Sequence, residues 1–290
     1  MTLALEILDN LYGFSLAKYA TWFFYKPDHL LLDVGEGVSV AMRNMIYGIN
    51  SVAITHGHGD HIAGLPGLLR SRASSMGDKE KPLTVYYPKE DRSINKLYRY
   101  IKDTVGKLTF EVCWQELEEN QKIPLAFNRY LVPFASHHGE NGLTLGYKIV
   151  EHRTRLKLAY RDLPQQELIN LIKQHGKQSV SESYDHILLC FSGDSMVLNP
   201  QIFDHAEVLL HDTTFLKAED RDENTHATVE EVLLAAKTAQ VAAVGLFHFS
   251  ARYRHPEIVE TITKLVQDLQ ITCPVFYIFS NPSPLSLRKI

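Results

Sequence analysis

The sequence predicts an α/β protein. Short apolar runs that are typical of buried strands alternate with segments that carry apolar residues on one face of a helix. Several of these runs end at a histidine or an aspartate. The chain has 290 residues, of which 45% are hydrophobic, so it can bury a sizeable core, and no linker, repeat or low-complexity tract divides it. We therefore expect one domain over residues 1–290.

Composition limits the classes of function. The net charge of −4 gives no general attraction to nucleic acid, so any such binding would need a local basic patch. Cys113, Cys190 and Cys273 are widely spaced and suit a reduced cytoplasm better than a disulfide framework. No apolar stretch is long enough to span a bilayer, and residues 1–10 lack the basic region of a signal peptide. We therefore expect a cytoplasmic protein without a membrane segment.

The first part of the chain predicts strands followed by a helix. Residues 3–24 mix apolar and polar residues with an alternation that favours strands. The apolar run 30–32 predicts a buried strand that ends in Asp33 and a glycine turn. A helix is expected to begin near Val38, and Asp33 is one candidate to cap it.

A dense group of metal-binding side chains follows the apolar run 51–54, which predicts another buried strand. Within six residues the chain places His56, His58, Asp60 and His61, and the two glycines between them permit a sharp turn. Imidazole nitrogens and carboxylate oxygens are the ligands that zinc, and to a lesser degree iron or manganese, prefer. The first two histidines can serve one ion, and the last two residues can serve a second.

This H-x-H-x-D-H pattern closely resembles the signature of the metallo-β-lactamase-fold hydrolases. Position 58 is a histidine rather than a glutamate, which speaks against the redox di-iron branch of that fold. The resemblance implies a four-layer αββα sandwich with a two-metal site at one edge of its sheets. It also implies that Asp33, in a D-x-G-E-G motif, orients a metal-binding histidine, a role that carboxylates often have.

The next segments predict helices and a strand. Leu65, Leu68 and Leu69 share a helical face, residues 83–87 predict a strand, and residues 92–105 predict a helix. On this last helix, residues 98–100 carry two tyrosines and an arginine. We interpret them as core packing with a solvated arginine rather than as a nucleic-acid patch.

The same resemblance implies the remaining metal ligands. The run 130–138 ends in His137 and His138 and precedes Gly146-Tyr147, which is similar to the motif of the third histidine ligand. His138 is favoured because it lies nearer the Gly-Tyr pair, but His137 stays an alternative. The run 187–191 leads into Ser192-Gly193-Asp194, which is similar to the motif whose aspartate bridges both ions. One ion would then bind His56, His58 and His138, the other would bind Asp60, His61 and His248, and Asp194 would lie between them.

Three later motifs resemble the ribonuclease Z branch of the fold. The sequence H-D-T-T-F at residues 211–215 is similar to H-E-A-T-F, and H-A-T at residues 226–228 is similar to H-S-T. The sequence H-F-S-A-R-Y at residues 248–253 is similar to the branch motif that supplies the last histidine ligand. The resemblance implies that Asp212 and His226 deliver a proton to the leaving group, although Asp212 is one methylene shorter than the usual glutamate. Thr228 and Glu231 also form a capping box that predicts a helix start.

Two regions depart from that branch. Residues 1–30 lack its Gly-rich loop, and the interval 150–186 is too short for the Gly-Pro-rich arm that grips precursor tRNA in the branch. This interval predicts a short flap with one helix over 164–175. The interval contains more cations than acids, so it is either a basic surface or a solvated flap. Its cations are Arg153, Arg155, Lys157, Arg161, Lys173 and Lys177.

These patterns predict a two-metal phosphodiesterase similar to ribonuclease Z, with Asp60, Asp212 and His226 as catalytic residues. The expected cofactors are two Zn²⁺ ions, with Mn²⁺ or Fe²⁺ as alternatives. The expected substrate is a phosphodiester, either the 3′ end of precursor tRNA or a small molecule such as a cyclic nucleotide. A lactonase, a thioesterase and a non-catalytic scaffold are less favoured alternatives. A homodimer is compatible with the sequence.

Overall fold

The structure, a computed structural model, describes residues 2–76, 81–138, 143–221, 224–278 and 287–289. Its first half contains a six-stranded sheet in the order β1 to β6, in which β1, β2 and β3 are antiparallel and β3 to β6 are parallel. In chain order, the helices and strands are α1 (Leu3–Asp9), β1 (Leu11–Leu16), β2 (Ala20–Tyr25), β3 (Leu30–Leu32), α2 (Val38–Met42), β4 (Ser51–Ala53), α3 (Gly59–Ile62), α4 (Leu65–Met76), β5 (Leu83–Pro88), α5 (Arg92–Thr104) and β6 (Val112–Leu117).

The second half forms an eight-stranded sheet in the reverse order, β14 to β7. Strands β10 to β13 are parallel, and the other neighbours are antiparallel. Its helices and strands are β7 (Ile123–Pro124), β8 (Arg129–Ser136), β9 (Thr144–Leu156), α6 (Gln165–His175), α7 (Lys177–Val180), β10 (Ser181–Phe191), β11 (Val208–Asp212), α8 (Val229–Thr238), β12 (Ala243–Phe247), α9 (His255–Asp268), β13 (Val275–Ile278) and β14 (Leu287–Lys289).

Three apolar layers bind the two sheets and their helices together. Between the sheets, Phe23, Phe191 and Phe247 pack against one another with ring centroids 5.2–5.4 Å apart. Helices α2, α4 and α5 cover the outer face of the first sheet, and α8 and α9 cover that of the second. This αββα sandwich is the four-layer fold that the sequence predicted, so that prediction is confirmed.

The carboxyl ends of the parallel strands in both sheets meet at one edge. The backbone N–H of Leu145, at the start of β9, donates to the carbonyl of Thr55 after β4 at 2.9 Å. Gly193 lies in the left-handed region with φ of +60°, and a Cβ there would be only 2.7 Å from the Thr55 side chain. Glycine is therefore required where the turn after β10 approaches the loop after β4.

The prediction of strands over residues 3–24 is wrong for its first part, because α1 is a helix. Ala4, Ile7, Leu8 and Leu11 are all buried and follow helical spacing rather than alternation. Strand alternation begins only at β1, where buried and half-buried residues alternate. The helix packs its apolar face into the layer between the sheets.

The interval 150–186 contains more strand than predicted. Residues 152–156 of β9 pair with residues 181–185 of β10 beyond the ends of their other partner strands. Helices α6 and α7 lie at the far end of this two-stranded ribbon, and most of their residues are exposed. We call residues 152–185 the flap. None of the helices in the described part of the chain has the length and apolarity of a bilayer-spanning segment.

We expect Phe191→Ala to lower the free energy of unfolding by about 3–5 kcal/mol, because it removes a fully buried ring from the layer between the sheets. Chemical denaturation would measure this loss. Phe127→Ala is the matched control, since its ring is 80% exposed and we expect a change within about 0.5 kcal/mol. Equal losses in the two variants would contradict the assigned core.

Candidate metal centre

The structure brings all nine predicted site residues to the edge where the strand ends meet. Each lies just after a strand or at the start of a helix, so its backbone is fixed while its side chain reaches the gap between the sheets. They are His56 after β4, His58, Asp60 and His61 around α3, His138 after β8, Asp194 after β10, Asp212 at the end of β11, His226 before α8, and His248 after β12.

The ligand atoms form two groups that share one carboxylate. His56, His58, His138 and Asp194 form the first group, and within each group the atoms lie within 4.8 Å of one another. Asp60, His61, His248 and again Asp194 form the second group. The shared carboxylate lies with Oδ2 3.9 Å from His56 Nε2 and 3.3 Å from His248 Nε2, and with Oδ1 3.2 Å from His61 Nε2.

Four of these atoms are buried without a hydrogen-bond partner among the described residues: His56 Nε2, His61 Nε2, His248 Nε2 and Asp194 Oδ1. A buried polar atom without a partner costs about 1–3 kcal/mol. Here the unsatisfied atoms come from three different segments of the chain and converge on the same space, so cations there would satisfy them. Their chemistry, imidazole nitrogen and carboxylate oxygen, therefore fits a dinuclear metal site.

One buried carboxylate, Asp33, orients two of these histidines. Its Oδ2 accepts a hydrogen bond from His61 Nδ1 at 2.7 Å, so Nε2 is the ring nitrogen that faces the site. The Thr55 hydroxyl donates to Asp33 at 3.0 Å and therefore accepts from His56 Nδ1 at 2.9 Å. The network thus assigns the same tautomer to both rings, with Nε2 as the metal-binding atom.

A second buried carboxylate, Asp212, repeats this arrangement. Its Oδ2 accepts from His226 Nδ1 at 2.6 Å, and its Oδ1 accepts from the Thr214 hydroxyl at 2.7 Å. The same hydroxyl accepts from His248 Nδ1 at 2.8 Å, so the His248 lone pair on Nε2 faces the site. Asp212 is therefore long enough to reach His226, in spite of being shorter than glutamate.

The sequence did not indicate the roles of Thr55 and Thr214. Each lies within two residues of a motif histidine or aspartate, but only the folded structure shows the hydrogen bonds that their hydroxyls make. Asp33 and His248 also have positive φ values, of 55° and 68°. Such strain is uncommon in residues other than glycine and persists where the surrounding contacts demand it.

The structure places His138, rather than His137, in the first group. His138 Nδ1 donates to the carbonyl of Thr225 at 3.0 Å, and its Nε2 lies 3.2 Å from His58 Nδ1. The side chain of His137 is exposed, and its backbone is tied by hydrogen bonds to Ser195 and Met196. Residues 139–142, which follow this pair, lie outside the described residues.

A third group of possible ligands, formed by Asp194, Asp212, His226 and His248, serves a different purpose. Both oxygens of Asp212 already accept hydrogen bonds, from Ser195 N–H and His226 on one side and from Thr214 on the other. Asp212 is therefore a hydrogen-bonded partner of His226, and its oxygens are satisfied without a metal ion.

The pKa shifts differ between the candidate metal ligands and the Asp212–His226 pair. Burial raises the pKa of Asp194, but the facing His248 and His61 outweigh this and hold the pKa well below its usual range, so the bridging group is an anion. Burial lowers the pKa of His226, but the Asp212 carboxylate outweighs this and raises the pKa to about 9. His226 is therefore protonated in neutral solution, whereas burial holds the pKa of His56 well below its usual value and keeps that ring neutral.

Metal analysis of the purified protein should give about two ions per chain. We expect Asp194→Ala to lose most of both, because this carboxylate belongs to both ligand groups. Asp204→Ala, at an exposed aspartate, is the matched control and should keep both ions. Full metal retention by Asp194→Ala would refute the bridging role.

The two adjacent histidines give a separate test. His138→Ala should reduce the metal content and hydrolysis, because it removes a ligand of the first group, while His137→Ala should leave both nearly unchanged. Metal analysis and hydrolysis of bis-p-nitrophenyl phosphate would measure the difference. The reverse result would show that His137 is the ligand.

Comparisons with known proteins agree with this geometry. Residues 30–160 match the family model described as "Beta-lactamase superfamily domain". Ribonuclease Z of Thermococcus gammatolerans is 28% identical over 264 residues, which cover 84% of this chain and 82% of that protein. Ribonuclease Z of Ligilactobacillus salivarius is 31% identical over 247 residues, which cover 77% of each chain. The crystal structure of human tRNase Z, short form, is similar with a TM-score of 0.58 at 21% identity, over 83% of this chain and 93% of that one. The chain therefore belongs to the ribonuclease Z family of metal-dependent hydrolases with the metallo-β-lactamase fold.

Proposed function

We propose that the protein is a two-zinc endoribonuclease that hydrolyses a phosphodiester bond at the 3′ end of precursor tRNA. One observation carries the proposal: the unsatisfied buried ligand atoms converge beside a buried Asp212–His226 pair that can hold a proton. The names of the similar proteins, ribonuclease Z and tRNase Z, support an RNA substrate.

The first ion would be held by His56, His58 and His138, and the second by Asp60, His61 and His248, with Asp194 between them. Five of these seven ligands are imidazoles, a donor set that favours zinc over magnesium or calcium. When bound, two such ions supply Lewis-acid polarisation of the phosphate and offset its negative charge.

Asp60 lies where it can serve both the second ion and the substrate. Its Oδ2 is 3.5 Å from His248 Nε2 and 3.7 Å from His61 Nε2. The same oxygen accepts the backbone N–H of Lys18, at the tip of the β1–β2 hairpin, at 3.0 Å. This hydrogen bond fixes the carboxylate at the edge of the centre, close to the reacting atoms.

His226 would protonate the leaving oxygen. Its Nδ1 proton is bound to Asp212 at 2.6 Å, so the second nitrogen, Nε2, is the atom that can give up a proton. The ring stacks on His248 at a centroid distance of 5.2 Å, which places it at the border of the second ligand group. A ribose alkoxide is a poor leaving group, so a proton donor here suits an RNA phosphodiester better than an activated ester.

Replacement of His226 by alanine should separate two kinds of substrate. Cleavage of precursor tRNA should fall by about 10²–10⁴-fold in kcat, because the leaving alkoxide loses its proton donor. Hydrolysis of bis-p-nitrophenyl phosphate should fall much less, because p-nitrophenolate leaves as a stable anion. The assay uses one zinc-loaded preparation for both substrates, and His137→Ala serves as the control.

Equal losses on both substrates would contradict the proton-donor role of His226. A wild-type protein that hydrolyses the small diester but leaves precursor tRNA intact would instead contradict the proposed substrate, and would favour a small-molecule phosphodiesterase.

A further inference from the structure

Helix α5 carries a stripe of positive charge that the metal centre does not explain. The helix, residues 92–104, contains four cations and one acid, Asp103, in a chain whose net charge is −4. Their spacing of four, three and three residues places them along one side of the helix, and all four are exposed. Ile94 and Ile101 are buried on the opposite side. We call the four cations the α5 stripe: Arg92, Lys96, Arg99 and Lys102.

Asp91 and Asp103 adjoin the α5 stripe, but among the described residues neither forms an ion pair with it. Within the described ranges, no ion pair involves any of its four side chains. Two arginines of the flap differ in this respect, since Arg153 pairs with Glu151 and Arg155 lies 2.7 Å from Glu182. A phosphate that approaches these two arginines would compete with their carboxylates. The remaining flap cations differ from the α5 stripe in position rather than in pairing.

The position of α5 relative to the centre also differs from that of the flap. We call residues 55–61, which follow β4, the metal loop. A Cβ at Gly57, between the first two histidines of this loop, would lie 2.4 Å from the carboxylate of Asp91, the residue that caps α5. The stripe therefore begins at the metal loop and extends roughly 15 Å away from it. Strand β10 reaches the centre with its carboxyl end at Phe191, so the flap begins roughly 20 Å from that end, at Asp185, and the other end of the strand lies roughly 30 Å away.

We infer that the α5 stripe binds the phosphate backbone of the RNA whose scissile phosphate lies at the metal centre. This inference rests on the proposed function, and it names the surface that holds the substrate. Cations supply most of the sequence-independent affinity of a protein for nucleic acid, and they do so best where no carboxylate competes. A row that starts at the metal loop can hold several successive phosphates without displacing the scissile one.

Two aromatic residues border the stripe. Tyr100 is 56% exposed and lies beside Arg70, on the flank of α5 that faces α4, where a base could stack. Tyr98 has a packing role instead, since its ring contacts Trp114 at a centroid distance of 5.1 Å. The expectation that both tyrosines belong to the core is therefore wrong, since Tyr98 is 40% exposed and Tyr100 is 56% exposed, although Tyr98 still packs on Trp114.

The test compares two variants that lose the same charge. Lys96→Gln with Arg99→Gln removes the middle of the α5 stripe, and Lys173→Gln with Lys177→Gln removes two exposed lysines of the flap. Fluorescence anisotropy with a labelled precursor tRNA transcript, at several KCl concentrations, would give Kd and its salt dependence. Thermal unfolding and hydrolysis of bis-p-nitrophenyl phosphate would show that each variant is folded and has an intact centre.

We expect the α5 variant to bind the transcript roughly tenfold more weakly, with a log–log salt slope smaller by about 0.7–0.9 for each lost phosphate contact. Its kcat and KM for the small diester should not change. Unchanged transcript binding, or an equal loss in the flap variant, would overturn the inference while the proposed function stands. A wild-type protein that hydrolyses the diester but neither binds nor cleaves the transcript would overturn both.

Discussion

Two buried carboxylates, Asp33 and Asp212, set the orientation of the candidate centre. Each accepts one histidine N–H directly and a second through a threonine hydroxyl, so together they fix the tautomers of four histidine rings. Burying an ionised carboxylate is costly unless it is paired and hydrogen-bonded, and each of these two is surrounded by donors. The same bonds leave the remaining nitrogens of His56, His61 and His248 without partners. These ligand atoms are thus held in fixed positions at one edge of the sandwich, as expected for a preorganised metal site.

The fold explains why these residues can meet. Parallel strands in both sheets deliver their carboxyl ends to one edge, and the aromatic packing of Phe23, Phe191 and Phe247 holds the sheets at a fixed separation. The first sheet supplies the metal loop, and the second supplies Asp194, the Asp212 network and His248. Neither sheet holds a complete ligand group, so the centre depends on the core between them.

The charged groups of the metal centre and the cations that could bind a long substrate lie in different parts of the molecule. The centre consists of carboxylates and histidines and has room for one phosphate group of a proposed RNA substrate, whereas affinity for a long RNA needs cations outside it. The flap, the first candidate from the sequence, pairs two of its arginines with glutamates, and it lies far from the centre. Helix α5 has an unpaired row of cations next to the metal loop, and that row, rather than the flap, suits the phosphate backbone.

The sequence by itself determined the fold class, the family resemblance and the set of residues that meet at the edge, because each of these depends on local patterns. Strand ends that carry His or Asp, the H-x-H-x-D-H loop and the Thr228–Glu231 capping box are all visible within a few residues. Their roles as ligands and acid stay predictions. The tertiary structure decided what depends on distant contacts: the choice of His138 through the carbonyl of Thr225, 87 residues away, and the link from Asp33 to Thr55, 22 residues away. It also decided that α1 is a helix and that Arg153 and Arg155 of the flap are paired with glutamates, because both follow from packing partners that no local pattern specifies.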